Sequence, residues 1–185
     1  LCGLALELAT WGLTNPSGLQ WLDEPPMRAF SDGRSLLTTL GALDAEGRVT
    51  DLGRRVASLP LHPRLARMVI ESGTPLRLEL LDNAGKRHPS LDVRALNGAR
   101  QRWRDIARRA GISLDADIDP HEAGRDLALA YPDRLAVRRG QPGNFQLRTG
   151  TAATVPKGDP LAEERFCVVA DLDGDRQRAR VRVAA

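Results

Sequence analysis

Leu43-Asp44-Ala45-Glu46-Gly47-Arg48-Val49-Thr50-Asp51-Leu52-Gly53-Arg54-Arg55 packs a hairpin and a helix start into one short stretch. Leu43 opens a short strand, Gly47 supplies a turn, and Val49 returns in a second strand. Thr50 is placed to cap a helix from Asp51 to about Ser58, with Asp51 favourable near the positive helix end. Pro60 ends that helix. Pro63 opens another, to about Glu71, with Leu65, Met68 and Val69 on one side. Upstream, Met27, Phe30, Leu36, Leu37 and Leu40 fit one face of a helix that stops at Gly41. The order helix, small hairpin, helix, helix is compatible with a winged-helix module; a three-helix bundle gives a similar pattern.

Outward from this stretch, Leu4, Leu6, Leu8 and Trp11 fall in a short apolar helix ending near Gly12, and Asn15-Pro16-Ser17-Gly18 is a turn. Ser72-Gly73-Thr74-Pro75 breaks the chain, and residues 76–81 are weakly helical in pattern. The clearest helix spans about 91–109: Leu96, Ala99, Trp103, Ile106 and Ala110 make an amphipathic stripe. Its other faces carry Arg94, Arg100, Arg102, Arg104, Arg108 and Arg109, and Gly111 suits a C′ position. Asp115-Ala116-Asp117-Ile118-Asp119-Pro120 reads as an acidic linker, followed by a helix to about Tyr131. Beyond it the pattern turns β, with short runs at 135–139, 145–147, 152–155, 166–170 and 179–183. Residues 178–183 alternate strictly, basic on one face and apolar on the other. The expected architecture is α+β and multi-module: a winged-helix part at 1–72, a partial helical bundle at 73–114, and a helix plus small OB-like β-barrel at 115–185.

Composition bounds the function. The chain has 185 residues, 42% hydrophobic and 28% charged, enough for a real core; aromatics are 4%, so aliphatic residues must fill it. Lys and Arg total 27 against 24 Asp and Glu, and Lys86 and Lys157 are the only lysines. The basic charge is therefore arginine, which holds phosphate and carboxylate bidentately. No apolar run approaches the ~20 residues of a membrane span, and no signal peptide is readable. Cys2 and Cys167 are too few for a disulfide scaffold and fit small buried hydrophobes. A cytoplasmic location is expected. The chain begins at Leu1 inside an apolar helical pattern, which predicts a piece of a longer protein.

Catalytic signatures are missing from the sequence. There is no G-x-x-x-x-G-K-[ST], G-x-S-x-G, H-E-x-x-H or C-x-x-C. His62, His88 and His121 are scattered without metal-ligand spacing. Asp171-Leu172-Asp173-Gly174-Asp175 imitates a calcium loop, but its glycine is two positions early and Arg182 stands where Glu is required; an acidic hairpin turn is the expected reading. Trp11, Trp21 and Trp103 are expected in the core.

The basic features remain as candidates. Arg100, Arg104 and Arg108 share one helical face by four-residue spacing. That face either is solvated, with local ion pairs, or contacts nucleic acid or a partner domain. Arg138, Arg139, Arg148 and Lys157 lie in or beside the β region, with Phe145 and Tyr131 nearby. Basic residues with an aromatic on a small barrel fit single-strand binding, with stacking on Phe145 or Tyr131 if either is exposed.

Several stretches carry a resemblance. Leu6-Glu7-Leu8-Ala9-Thr10-Trp11-Gly12, Trp21-Leu22-Asp23-Glu24-Pro25-Pro26, Leu40-Gly41-Ala42-Leu43-Asp44, Leu52-Gly53-Arg54-Arg55 and Leu59-Pro60-Leu61-His62-Pro63-Arg64-Leu65-Ala66-Arg67-Met68 occur in that order. Together they resemble the region that follows the motor core of DEAH-type ATP-dependent RNA helicases. Ala130-Tyr131-Pro132-Asp133-Arg134-Leu135-Ala136 and Val168-Val169-Ala170-Asp171 resemble that family's C-terminal part. The resemblance implies a winged-helix domain, a ratchet-like bundle and a small β-barrel along the path of single-stranded RNA or DNA. It implies that the RecA-like domains of the same protein, with their ATP and Mg, lie outside this chain; no cofactor is expected in the segment itself. Rival readings are a winged-helix transcription regulator with a C-terminal β domain, and a protein-interaction scaffold.

Overall fold

The structure, a computed structural model, describes residues 1–73, 105–106, 108–109, 111, 122–156, 158–175 and 178–185. Expectations for residues 76–81, most of the 91–109 helix and the 115–119 linker lie outside the described residues.

Helix α1 (Cys2–Thr10) is buried on most sides, with Cys2, Ala5, Leu6, Leu8 and Ala9 in the core. It ends at Gly12, whose φ of 80° lets Leu13 N–H turn back to the Leu8 carbonyl at 2.8 Å. Trp11, just past the last buried residue, is 67% exposed, so the expectation that it packs in the core is wrong. Trp21 is half-buried and its indole N–H donates to the Pro16 carbonyl at 2.7 Å.

Helix α2 (Met27–Thr39) buries Phe30, Gly33 and Leu37, a three-then-four spacing that faces α1. Gly33 allows the close approach: a methyl there would sit 3.1 Å from the Cys2 backbone. The wing follows as expected. Leu43 and Val49 form an antiparallel bridge around Gly47, which has φ of 79°. Thr50 Oγ1 accepts from Gly53 N–H at 3.0 Å and caps α3 (Asp51–Ala57). Gly53 has no room for a side chain, since a methyl would collide with the Ala42 carbonyl oxygen. Helix α4 (Pro63–Ser72) starts on its proline and ends at Gly73, with φ of 67°.

The C-terminal part begins with α5 (Ala123–Ala130) and a 3₁₀ turn at Pro132–Arg134. Five strands follow: β1 (Leu135–Arg138), β2 (Asn144–Leu147), β3 (Ala152–Thr154), β4 (Phe166–Asp175) and β5 (Arg178–Ala184). They close in the order β1-β2-β3-β5-β4, with β3 and β5 parallel and the other pairs antiparallel. That is the expected OB-like barrel on an α+β chain. Alternation dictates the interior: Ala136, Phe145, Leu147, Ala153, Cys167, Val169 and Val181 point inward and form their own cluster. Among the described residues of β5, Ala179 and Val181 are buried and Arg180 is exposed, following the period-2 pattern.

Strand β4 differs from expectation at its far end. Residues 171–175 continue the strand instead of forming an acidic turn. The alternation persists there, with Asp171 and Asp173 exposed and Leu172 half-buried between them. At its near end β4 is covered on both faces. Cys167 and Val169 face the barrel interior, while Val168 and Ala170 join Leu127 and Ala130 of α5 in the main helical core. Helix α5 also packs along α4, so one apolar core runs from the winged helix to the outside of the barrel. Both cysteines are buried as expected, and burial pushes the Cys167 thiol up to about 11.

Candidate nucleic-acid interface

The outward residues of β1, β2 and β4 form one face. Register sets Phe166 opposite Val137, and Val137 opposite Gln146. Phe166 cannot point inward, because its neighbours Cys167 and Val169 already do; it is 56% exposed. Arg148 stands just past β2, on the same side as Gln146 by alternation, and its N–H donates to the Leu135 carbonyl at 2.8 Å. Arg139, just past β1, is fixed by its N–H to the Asn144 carbonyl at 2.9 Å. Together with Leu135 these residues border an open concavity of about 510 Å³ with no carboxylate in its lining. Among the described residues neither Arg139 nor Arg148 has an ion-pair partner, and both are exposed.

The remaining sequence candidates scatter. Phe145 is 2% exposed inside the barrel, so the exposure its stacking role required is not met. The alternation of Asn144, Phe145, Gln146 and Leu147 puts it there. Arg138 is only partly exposed and folds onto the 3₁₀ turn at Pro160–Glu163, donating to the Glu163 carbonyl at 2.6 Å and pairing with its carboxylate at 3.5 Å. Arg108 is exposed and pairs locally with Asp105 at 3.4 Å. The backbone is helical at Asp105, Ile106, Arg108 and Arg109, Ile106 is buried, and Gly111 has φ of 67°, as the amphipathic pattern and its C′ glycine predict. Arg100, Arg104 and Lys157 lie outside the described residues. Phe166 is the residue that sequence reasoning missed. The signal was available: in Phe166-Cys167-Val168-Val169, period-2 alternation sends either Phe166 or Cys167 outward.

A second arginine cluster joins the two parts of the fold. Arg64, on the first turn of α4, is 9% exposed. Its two terminal nitrogens grip both Asp133 oxygens at 2.6 and 2.8 Å, and one also donates to the Ala130 carbonyl at 2.9 Å. The Tyr131 ring has the Arg64 and Arg134 guanidiniums each 5.1 Å from its centroid. Arg134 in turn donates to the Ala170 carbonyl at 2.6 Å. Partial burial works against the Asp133 carboxylate, but the Arg64 hydrogen bonds and charge hold it below its ordinary value. Burial raises the Tyr131 hydroxyl, against the pull of the two arginines. With both cations on its ring, Tyr131 serves the junction.

Among the described residues, no group of three His, Cys, Asp or Glu could hold a metal ion, and no helix is long and apolar enough to cross a membrane.

Residues 34–61, the end of α2, the wing and α3, match the winged-helix helicase associated domain (HA2). The chain is 31% identical over 179 residues to the ATP-dependent RNA helicase HrpB of Escherichia coli, a match that covers 91% of this chain and 22% of HrpB. In structure it superposes on the crystal structure of the E. coli DExH-box NTPase HrpB with a TM-score of 0.83, at 28% identity, over 100% of this chain and 24% of that one. The chain is thus similar to HrpB over nearly its whole length. The human probable ATP-dependent RNA helicase DHX35 is 36% identical over 74 residues, 40% of this chain and 10% of its own length. The HrpB-like likeness thus extends through the barrel, and the chain spans less than a quarter of HrpB.

Proposed function

We propose that this HrpB-like segment is a non-catalytic accessory region of an ATP-dependent RNA helicase, holding single-stranded nucleic acid beside RecA-like motor domains of the same protein. The observation that supports it best is the carboxylate-free groove bordered by Arg139 and Arg148, on a barrel that follows HrpB in fold. Guanidiniums along an open groove attract a phosphate backbone without reading base sequence. In this reading residues 1–72 are a structural hub, 73–114 a ratchet-like bundle with Arg100, Arg104 and Arg108 along one face, and 115–185 the strand-holding part, with Lys157 among its basic residues. In this reading ATP and Mg belong to the motor domains, because this sequence carries no phosphate loop. The segment alone is therefore expected to turn over no ATP.

The test is fluorescence anisotropy of a labelled single-stranded RNA with the 185-residue chain. Binding is expected at ~50 mM salt, weakening toward ~200 mM with a slope of about −0.7 per neutralised phosphate on a log–log plot. No binding at ~50 mM overturns the reading, and a preference for one duplex sequence replaces it with the regulator.

A further inference from the structure

We propose that Phe166 is a base-stacking platform: its exposed ring receives an unpaired nucleobase while Arg139 and Arg148 hold the flanking phosphates. This rests on the strand-holding reading above and adds to it the residue that would prefer single strands over duplex. Sequence-tolerant single-strand sites combine a positive groove with aromatic rings, because every base has a π-face.

Four observations converge on this ring. Phe166 is 56% exposed at the start of an otherwise buried run of β4, so the fold holds it outward on a rigid strand instead of a loop. Apolar neighbours surround it: Val137 lies directly opposite on β1, and Leu135, itself 38% exposed, is two residues along the same strand. The Arg165 guanidinium lies over one face of the ring at 5.1 Å from its centroid, an arrangement that a stacked base can extend. The ring also borders two concavities at once. One, of about 510 Å³, is lined by Arg139 and Arg148 and no acid. The other, of about 600 Å³, has Arg125 and Glu164 in its wall.

Charge decides between possible occupants and the side on which the phosphates lie. A partner protein would bring carboxylates to pair with isolated arginines; a nucleic acid brings a phosphate at every step and a flat ring beside it. The Phe166 patch offers a counterpart to each, an exposed ring and the guanidiniums that share its groove. Because Glu164 lies in the second concavity, phosphates are assigned to the Arg139–Arg148 side.

The experiment compares the 185-residue chain with Phe166→Ala and Phe166→Trp, using a labelled oligouridylate, the matched abasic oligomer and a duplex RNA. Phe166→Ala is expected to weaken oligouridylate binding roughly 5- to 150-fold, the range for losing one stacked base. It should leave abasic and duplex affinity, and the salt slope, unchanged. Phe166→Trp should restore binding. Its indole emission should be quenched, beyond that of the parent chain, by the oligouridylate and not by the abasic oligomer. That quenching stands as a test even if the alanine variant folds poorly. Oligouridylate binding by Phe166→Ala within twofold of the parent chain overturns the stacking site and leaves strand holding intact. Equal losses on intact and abasic strands overturn it too, by making the ring a packing residue. If the parent chain binds no strand, the reading beneath it falls with it.

Discussion

The junction between the winged helix and the barrel, and the barrel's outer face, use the same residue type in opposite ways. At the junction Arg64 and Arg134 make bonds within the chain: to Asp133, to the Ala130 and Ala170 carbonyls, and across the Tyr131 ring. On the outer face Arg139 and Arg148 are exposed beside a groove without acids. An arginine count therefore mixes fold-holding residues with residues open to a ligand. Burial and partner geometry separate them; sequence position does not, since Arg134 and Arg139 are five residues apart.

The largest expected effect breaks the junction. Arg64→Ala leaves the Asp133 carboxylate and the Ala130 carbonyl without their donor in a largely enclosed setting. Removing one partner of a buried pair costs about 3–5 kcal/mol, and the part-exposed Asp133 puts this case near the lower end. Urea unfolding of the chain and the variant measures it. Arg64→Lys should recover little, because one ammonium cannot grip both oxygens and the carbonyl together. A loss below ~1 kcal/mol in Arg64→Ala would falsify the latch.

The outer face should give the reverse pattern. Arg139→Ala and Arg148→Ala are expected to change stability by no more than about 0.5 kcal/mol, as surface substitutions do. Each should lower the salt dependence of single-strand binding by about 0.7 in slope, the contribution of one phosphate. Both quantities come from the same protein samples, by urea unfolding and by anisotropy across a salt series. A variant that loses stability but keeps its salt slope would move that arginine into the junction class.

The two regions were also unequally legible. The wing and its flanking helices could be read residue by residue, because the signals are local: Thr50 as cap, Gly47 as turn, Pro63 as helix start. The barrel strands could be read for the same reason. The junction was visible only as separate motifs. Leu61-His62-Pro63-Arg64, Ala130-Tyr131-Pro132-Asp133-Arg134 and Val168-Val169-Ala170 each carried family resemblance, but nothing local says that Arg64 meets Asp133, 69 positions away. The outer face was half legible. Arg139 and Arg148 stand out as charges, yet the pattern offers Phe145 or Tyr131 as the aromatic beside them, whereas strand parity buries Phe145 and exposes Phe166. Trp11 failed for a related reason: size and apolarity favour burial, but its place past the last inward turn of α1 overrides them.

Acid should loosen the junction in two stages. Asp133 is the lower one: its folded carboxyl titrates below the unfolded value of ~3.9, so its contribution is complete above that pH and is lost as pH falls through the folded value. His62 gives the smaller and earlier stage. Its Nδ1 accepts the Arg64 N–H at 3.3 Å and caps α4, which requires the neutral ring. Burial, then the Arg64 charge, hold its pKa below the ordinary 6.5, so the unfolded chain takes the proton first. The His62 contribution is thus whole above ~6.5 and declines as pH falls through the folded value. Because His62 is exposed, the expected cost is small, a Tm shift below about 2 °C for a chain of this size. His62→Asn keeps a capping acceptor that does not titrate, so it should match the parent chain at pH 7.5 and lose less on acidification to pH 5. Thermal melts at the two pH values decide it: parallel losses in both proteins would remove His62 from the junction's acid response and leave Asp133 alone.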